Sequence, residues 1–326
     1  REFRSLGTVA AGDAPERPVG RGECVRIMTG AMLPPGTGRV IRKEALVWSG
    51  ETATLNGLEP DVNVLPRGAN HRAGDIICGP RRLAPVDLAV IASAGFSDIA
   101  VAVPPRIVIL ATGDELVVPG LSLGPGKIYS SNGHHLAALA RAAGFPAGPA
   151  VQVADDRAAL ETAIAAAAAS RGIVLLSGGV SVGDFDLVPA CLSALGAKIQ
   201  FHGVAVKPGK PILFAELGEA FVFGLPGNPL AAHVAFEFFV RPLLCRLAGS
   251  EYRPREFTVP LAASYARRDA DRTEFVPVRA TEAGVAPVAC RGSGHLQALA
   301  EADGLMRINA GVTRLPAAAP VTLRVL

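Results

Sequence analysis

The sequence predicts an α/β fold with a central, mainly parallel sheet carrying helices on both faces. A β-rich N-terminal domain and a small C-terminal β-domain flank it. Three observations carry this. Ile107–Ala111 and Ile173–Leu176 are uninterrupted apolar runs, as strands buried on both faces require. Helical segments alternate with such strands through the middle of the chain, the pattern of βαβ units. Before residue 75 and after residue 249, short apolar runs are broken by Gly and Pro with no long helical pattern.

Four stretches follow in order. In residues 1–75, strands are expected at Cys24–Met28, Arg39–Ile41, Ala45–Trp48 and Val62–Leu65. Residues 76–104 form a connecting segment with a helix over Asp87–Gly95, closed by Gly95, before Pro104-Pro105 marks a boundary. Residues 105–248 make the central domain. Its strands are Ile107–Ala111, Val151–Val153, Ile173–Leu176, Ile199–Val206, Ile212–Ala215 and Ala220–Phe223. Its helices cover 133–143, Arg157–Ser170 (capped by Asp155 or Asp156), Phe185–Leu195 and Leu230–Leu247. In residues 249–326, strands are expected at Phe257–Leu261, Glu274–Arg279, Val285–Ala289 and Val321–Val325, forming a small sandwich or barrel.

Bulk composition narrows the function. The 326 residues are 50% hydrophobic and 19% charged, a folded composition rather than a disordered one. A net charge of +3 over that length argues against a nucleic-acid coat protein, so an anionic ligand must be held by local groups. The five cysteines (Cys24, Cys78, Cys191, Cys245, Cys290) are scattered without a CxxC pair, which reads as buried free thiols in a reducing, cytoplasmic setting. No apolar run has the roughly 18 residues of a membrane helix. The start, Arg1-Glu2-Phe3-Arg4, is no signal peptide and lacks an initiating Met, so the chain is read as beginning inside a longer parent.

Chemistry concentrates in four loops at strand ends, where open α/β sheets bind ligands. Thr112-Gly113-Asp114-Glu115 places two carboxylates beyond a buried strand, suited to a divalent cation or a hydroxyl. In Ser177–Asp186, Gly178, Gly179 and Gly183 let backbone amides approach phosphate oxygens, and Ser177 and Ser181 add hydroxyls. Asp184 either caps the following helix or joins the site. Lys207-Pro208-Gly209-Lys210-Pro211 holds two cations on a stiff turn. Gly224-Leu225-Pro226-Gly227-Asn228-Pro229 is rigid, with Pro229 at a helix start. His134 and His135 are adjacent on a helix and point apart, which disfavours a shared metal. There is no P-loop and no nucleophile elbow.

These motifs together resemble the molybdopterin molybdenumtransferases over nearly the whole chain. Val25–Ala31, Thr112–Leu116, Ser177–Asp186, Lys207–Pro211, Gly224–Pro229, Gly292–Leu296 and Ala302–Leu305 match in order and spacing. The resemblance implies a molybdopterin-binding type of central domain. It also implies insertion of molybdenum from molybdate into adenylylated molybdopterin, with AMP released and a Mg²⁺-like cation assisting. Members are similar elongated homodimers whose site lies between the central domain of one subunit and the N-terminal region of the other. Other cofactor-assembly proteins and molybdoenzymes are the implied transient partners. Thr29, Glu115, Asp155, Asp186, Pro226 and Pro229 fall on family functional positions, with Thr29, Glu115, Asp155 and Asp186 catalytic, and Glu115 and Asp186 also at the metal. Gly178, Gly179, Ser181, Gly183, Asp184, Lys207, Lys210, Asn228, Arg272 and Ser293 are implied substrate or molybdate contacts.

Two departures stand out. The family usually begins with a further segment containing Met-Asp-Gly-Tyr-Ala, which nothing here matches. Where it has Ala-Asp-Ala-Val-Val, this chain has Thr37-Gly38-Arg39-Val40-Ile41. Weak turnover by the chain alone is therefore expected. The alternatives are a non-catalytic or degenerate pterin-binding scaffold, and the related adenylyltransferase, which shares the Ser-Gly-Gly loop but not the flanking β-rich regions.

Overall fold

The computed structural model describes residues 1–57, 60–180, 186–290, 292 and 294–326. The chain divides into two compact units, Arg1–Gly79 with Asp87–Gly95, and Pro80–Val86 with Phe96–Leu326.

The first unit is built on a four-stranded sheet of β1 (Glu2–Val9), β2 (Glu23–Ile27), β3 (Leu46–Ser49) and β4 (Thr52–Leu55), in the order β2-β1-β4-β3. β1 was not expected, yet it is interior to the sheet. Expected strands at Arg39–Ile41 and Val62–Leu65 are absent; the two segments meet instead through Val40, whose N–H donates to the Val62 carbonyl and whose carbonyl accepts from Asn63 Nδ2, each at 3.0 Å. The helix α1 (Pro85–Ser93) ends at Gly95, whose φ of +89° closes it.

The second unit continues with β5 (Ile107–Thr112), β6 (Leu116–Val117), β7 (Ile128–Tyr129), α2 (Asn132–Ala142), β8 (Val151–Val153), α3 (Arg157–Ala168), β9 (Ile173–Ser177) and α4 (Val188–Ala194). Then come β10 (Lys198–His202), β11 (Val206–Lys207), β12 (Leu213–Leu217), β13 (Ala220–Leu225), α5 (Pro229–Ala235) and α6 (Arg241–Leu247). The central sheet has the order β10-β12-β13-β9-β5-β8. Its four strands β13, β9, β5 and β8 are parallel, whereas β12 runs antiparallel to β13 and to β10.

Alternation along β9 shows why these runs are wholly apolar. Ile173 and Leu175 pack on one face with Leu136 and Ala140 of α2, Phe236 and Leu244. Val174 and Leu176 pack on the other with Leu160 and Ile164 of α3 and Val188 and Leu192 of α4. Helices cover both faces, as expected.

The expected helix Leu230–Leu247 is one helical run with a π turn, Phe236–Val240, between α5 and α6. In that register the Glu237 carbonyl would take its donor from residue 242, which is proline and has none. The Tyr252 hydroxyl (3.1 Å) and Arg324 Nη1 (3.3 Å) fill the place, fastening the last strand to the helix.

The C-terminal sheet orders β11, β16 (Thr273–Thr281), β18 (Gly304–Ile308), β20 (Pro320–Val325) and β14 (Glu256–Pro260), with β17 (Gly284–Pro287) on β16. A short pair, β15 (Tyr265–Ala266) with β19 (Arg314–Leu315), and a four-residue helix α7 (Gln297–Ala300) complete it. Neither the helix nor β18 was expected. The expected strand Ile199–Val206 breaks at Gly203 into β10 and β11, so that β11 leaves the central sheet and pairs with β16. Phe275 and Leu305 of the C-terminal sheet pack against Leu230 and Val234 of α5.

All five cysteines are free. Only Cys191 is buried, and Cys290 is exposed, so burial is not their common feature.

Candidate functional site

The path of the chain through the central sheet locates a crevice. From β5 it moves outward to β8, crosses to β9 on the opposite side of β5, and continues outward to β13. Strand order therefore reverses between β5 and β9, where open α/β sheets hold ligands beyond the carboxyl ends. Those ends are level: Ala111 pairs with Ser177, and Ser177 with Leu225. Loops bearing Gly113–Glu115, Gly178-Gly179 and Pro226–Asn228 leave side by side.

Close backbone approach packs these loops together. Gly178 has φ +99°, and a Cβ there would collide with the Thr112 carbonyl, so glycine is required twice over. Its N–H donates to the Leu225 carbonyl at 3.1 Å. Gly113, at φ +149°, lets Glu115 fold back: a Cβ on Gly113 would stand 2.7 Å from Glu115 Oε2. The exposed Glu115 carboxylate thus lies against Gly113, just beyond the end of β5.

Asp155 ties β8 to the same edge. Thr112 Oγ1 donates to Asp155 Oδ1, and the Asp114 N–H donates to Oδ2 at 3.1 Å. Asp156, not Asp155, caps α3 by accepting from the Ala159 N–H at 2.9 Å. The neighbouring carboxylates have therefore separated into a capping role and a loop-fastening role.

Asn132, which no sequence motif marks, stands at the start of α2 against this edge. Its Nδ2 donates to Ser177 Oγ (2.9 Å) and to the Gly227 carbonyl (2.8 Å). Its Oδ1 is buried with no partner among the described residues. One turn further along, His135 Nε2 lies 3.0 Å from His233 Nδ1, and the rings stack. Burial, then the neighbouring His135 and Arg241, push the His233 imidazole down to about 3. Burial lowers His135 as well. His134, by contrast, is exposed. Neither Asn132 nor His233 forms part of a recognisable local motif, and their partners lie 45 and 98 residues away in sequence.

Asp186 sits two residues before α4, whose Val188 N–H donates to the Gly179 carbonyl at 3.1 Å. His202, ending β10, contacts the Val180 carbonyl at 2.8 Å, which brings the chain leading to Lys207 and Lys210 to the same edge. Gly294 approaches Asn228: a Cβ on it would stand 3.8 Å from Asn228 Oδ1.

The expected residues are therefore distributed as follows. Glu115, Asp155, Gly178, Gly179, Pro226, Asn228 and Pro229 share the carboxyl edge. Lys207 Nζ is 2.9 Å from Glu274 Oε1, and Arg272 Nη2 is 3.3 Å from Asp269 Oδ2, so both cations carry acidic partners. Lys210 is exposed. Thr29 follows β2 in the first unit and is exposed there. Ser181, Gly183, Asp184 and Ser293 lie outside the described residues. Among the described residues no three His, Cys, Asp or Glu side chains are grouped to hold a metal ion. No helix among them is long and apolar enough to cross a membrane.

Comparison with known proteins agrees with this architecture. Residues 108–246 match the profile of a probable molybdopterin binding domain. Residues 1–95 match the MoeA N-terminal region (domains I and II), and 258–326 the MoeA C-terminal region (domain IV). This is a molybdopterin-binding α/β protein with a β-rich region on each side.

The molybdopterin molybdenumtransferase of Staphylococcus aureus (strain COL) is 32% identical over 317 residues, 95% of this chain and 75% of the relative. That of Staphylococcus epidermidis (strain ATCC 12228) is 31% identical over the same shares. Among solved structures, a molybdopterin biosynthesis MoeA protein from Pyrococcus horikosii superposes with a TM-score of 0.80 at 29% identity, covering 99% of this chain and 81% of that one. A second, from Pyrococcus horikoshii OT3, gives 0.83 at 22% identity and supports the fold. The chain belongs to the molybdopterin molybdenumtransferase family.

Proposed function

We propose that the chain transfers molybdenum from molybdate into adenylylated molybdopterin, releasing AMP, in molybdenum cofactor biosynthesis. The observation that carries this reading is the convergence of the β5, β9 and β13 loops at the reversal of strand order. A pyrophosphate-bearing ligand needs close backbone amides; Gly178, whose own N–H is taken by Leu225, gives room for close approach, and Gly179 and the start of α2 stand beside it.

Glu115 lies just beyond the end of β5, where its exposed carboxylate can meet a ligand. Glu115 and Asp186 would hold a Mg²⁺-like cation. Their hard carboxylate oxygens fit such an ion, which commonly takes one or two protein carboxylates together with substrate phosphates and so needs no dense cluster. When bound, the cation polarises the pyrophosphate. Asp155 is a positioning residue, since both its oxygens hold the β5 loop through Thr112 and Asp114. Pro226, Asn228 and Pro229 shape the far wall. Lys207, Lys210, Arg272 and Ser293 receive the oxyanion, by charge and hydroxyl donation. Thr29 serves from the N-terminal region of a second copy in a cytoplasmic homodimer.

The test combines calorimetry with adenylylated molybdopterin and Mg²⁺ with AMP release on adding molybdate. Saturable binding and molybdate-dependent AMP release are expected. Absence of binding overturns the reading.

A further inference from the structure

Beyond the loops at the sheet edge, one buried charged residue organises the proposed oxyanion-binding cations. Glu274 lies on β16 directly beside Lys207 in the ladder that joins β11 to the C-terminal sheet. Its side chain is 10% exposed, and it faces three donors from two parts of the chain. Lys207 Nζ is 2.9 Å from Oε1, and Arg267 Nη1 (3.5 Å) and the Tyr265 hydroxyl (3.4 Å) face Oε2.

Arg267 extends this order outward. Its guanidinium, 3% exposed, also donates to the carbonyls of Arg272 (2.9 Å), Val312 (2.7 Å) and Asn309 (2.6 Å). Arg272 is thereby fixed at its backbone by the same guanidinium that faces Glu274. The Asp269 carboxyl is lowered by the Asp271 N–H, then by Arg272, with Lys207 contributing, so both cations act on a common neighbourhood. Lys207 and Arg272 keep side-chain exposures of 42% and 30%. Buried Glu274 and Arg267 thus form a base from which two accessible cations project.

We infer that Glu274 is a positioning residue for oxyanion capture: it acts through Lys207 and Arg272 and does not touch the anion. The inference rests on the proposed function, in which those cations receive molybdate. Physics gives it a sign. A carboxylate near an anion site repels the anion, so a role through charge alone predicts tighter binding when the charge is removed. A role in fixing the cations predicts weaker binding, because a freed ammonium and a shifted arginine must be ordered again by each anion.

The experiment measures molybdenum insertion by the protein over a range of molybdate concentrations, with Glu274→Gln, Lys207→Ala and the double variant. For E274Q the KM for molybdate should rise by about tenfold, while the KM for adenylylated pterin changes less than about twofold. The double variant should be worse than K207A by less than the effect of E274Q alone, since part of that effect runs through Lys207 and the rest through Arg272. An unchanged or lowered molybdate KM in E274Q overturns the inference, as does full additivity in the double variant. If K207A leaves the molybdate KM unaltered, the assignment of the cations fails, a result separate from the positioning role. Should E274Q not fold, Glu274→Asp carries the test: it keeps the charge but shortens the reach, so an unchanged molybdate KM overturns the inference and a raised one supports it.

Discussion

Asn132 Nδ2 donates at once to Ser177 Oγ, at 2.9 Å, and to the Gly227 carbonyl, so one amide clasps the ends of β9 and β13. Ser177 is only 3% exposed, which makes the loss of its partner costly. Asn132→Leu should destabilise the protein by about 1–3 kcal/mol and loosen the Gly178 and Asn228 loops against each other. Urea denaturation reads the first effect. Calorimetry with adenylylated pterin reads the second, with a loss of affinity expected.

Gly178→Ala combines a backbone conformation that alanine avoids with a collision against the Thr112 carbonyl. A destabilisation of about 2 kcal/mol or more is expected, together with loss of pterin binding. Thermal unfolding and calorimetry check the two. A variant of unaltered stability would show that the loop accommodates a side chain.

His233 gives the protein an acid sensitivity. Its folded-state value of about 3 lies below the ordinary imidazole value of 6.5, so the unfolded chain binds the proton first. Stability is unaffected above pH 6.5 and is lost as pH falls below it, toward 3. The slope approaches about 1.4 kcal/mol per pH unit, or roughly 2 kcal/mol by pH 5. Urea midpoints across that range measure it. His233→Leu should reduce the slope by removing the more strongly lowered imidazole, leaving only the smaller part that His135, lowered by burial, contributes.

Asp155→Asn replaces an acceptor with an amide that can face only one of its two donors, the Thr112 hydroxyl or the Asp114 N–H. Slower molybdenum insertion with pterin affinity changed only several-fold is expected, since the β5 loop shifts while the Gly178 contact remains. Single-turnover AMP release separates these.

Much of this was legible in the chain itself. Ile107–Ala111 and Ile173–Leu176 betray themselves because burial on both faces allows no polar residue, and glycines marked helix ends at Gly95 and Gly144. β1 was not legible: Glu2-Phe3-Arg4-Ser5 is polar and largely exposed, and pairing with β2 and β4 defines it. The π turn at Phe236–Val240 follows from Pro242 only once Tyr252 and Arg324 are seen to take the spare carbonyl. At the site, the glycine and proline loops could be read from local chemistry. Asn132, His233 and Glu274 could not, because each owes its role to partners distant in sequence. Asp155 came from family likeness; its hydrogen bonds to the β5 loop explain why an acidic side chain stands there.

We propose that the loops at the carboxyl edge form one catalytic site with Glu115 at the reacting pyrophosphate. The most direct measurement is turnover of molybdenum insertion by Glu115→Ala, with pterin affinity determined separately. Turnover should fall by about a hundredfold or more while affinity shifts only a few-fold. Turnover equal to that of the unsubstituted protein would rule out this role for Glu115.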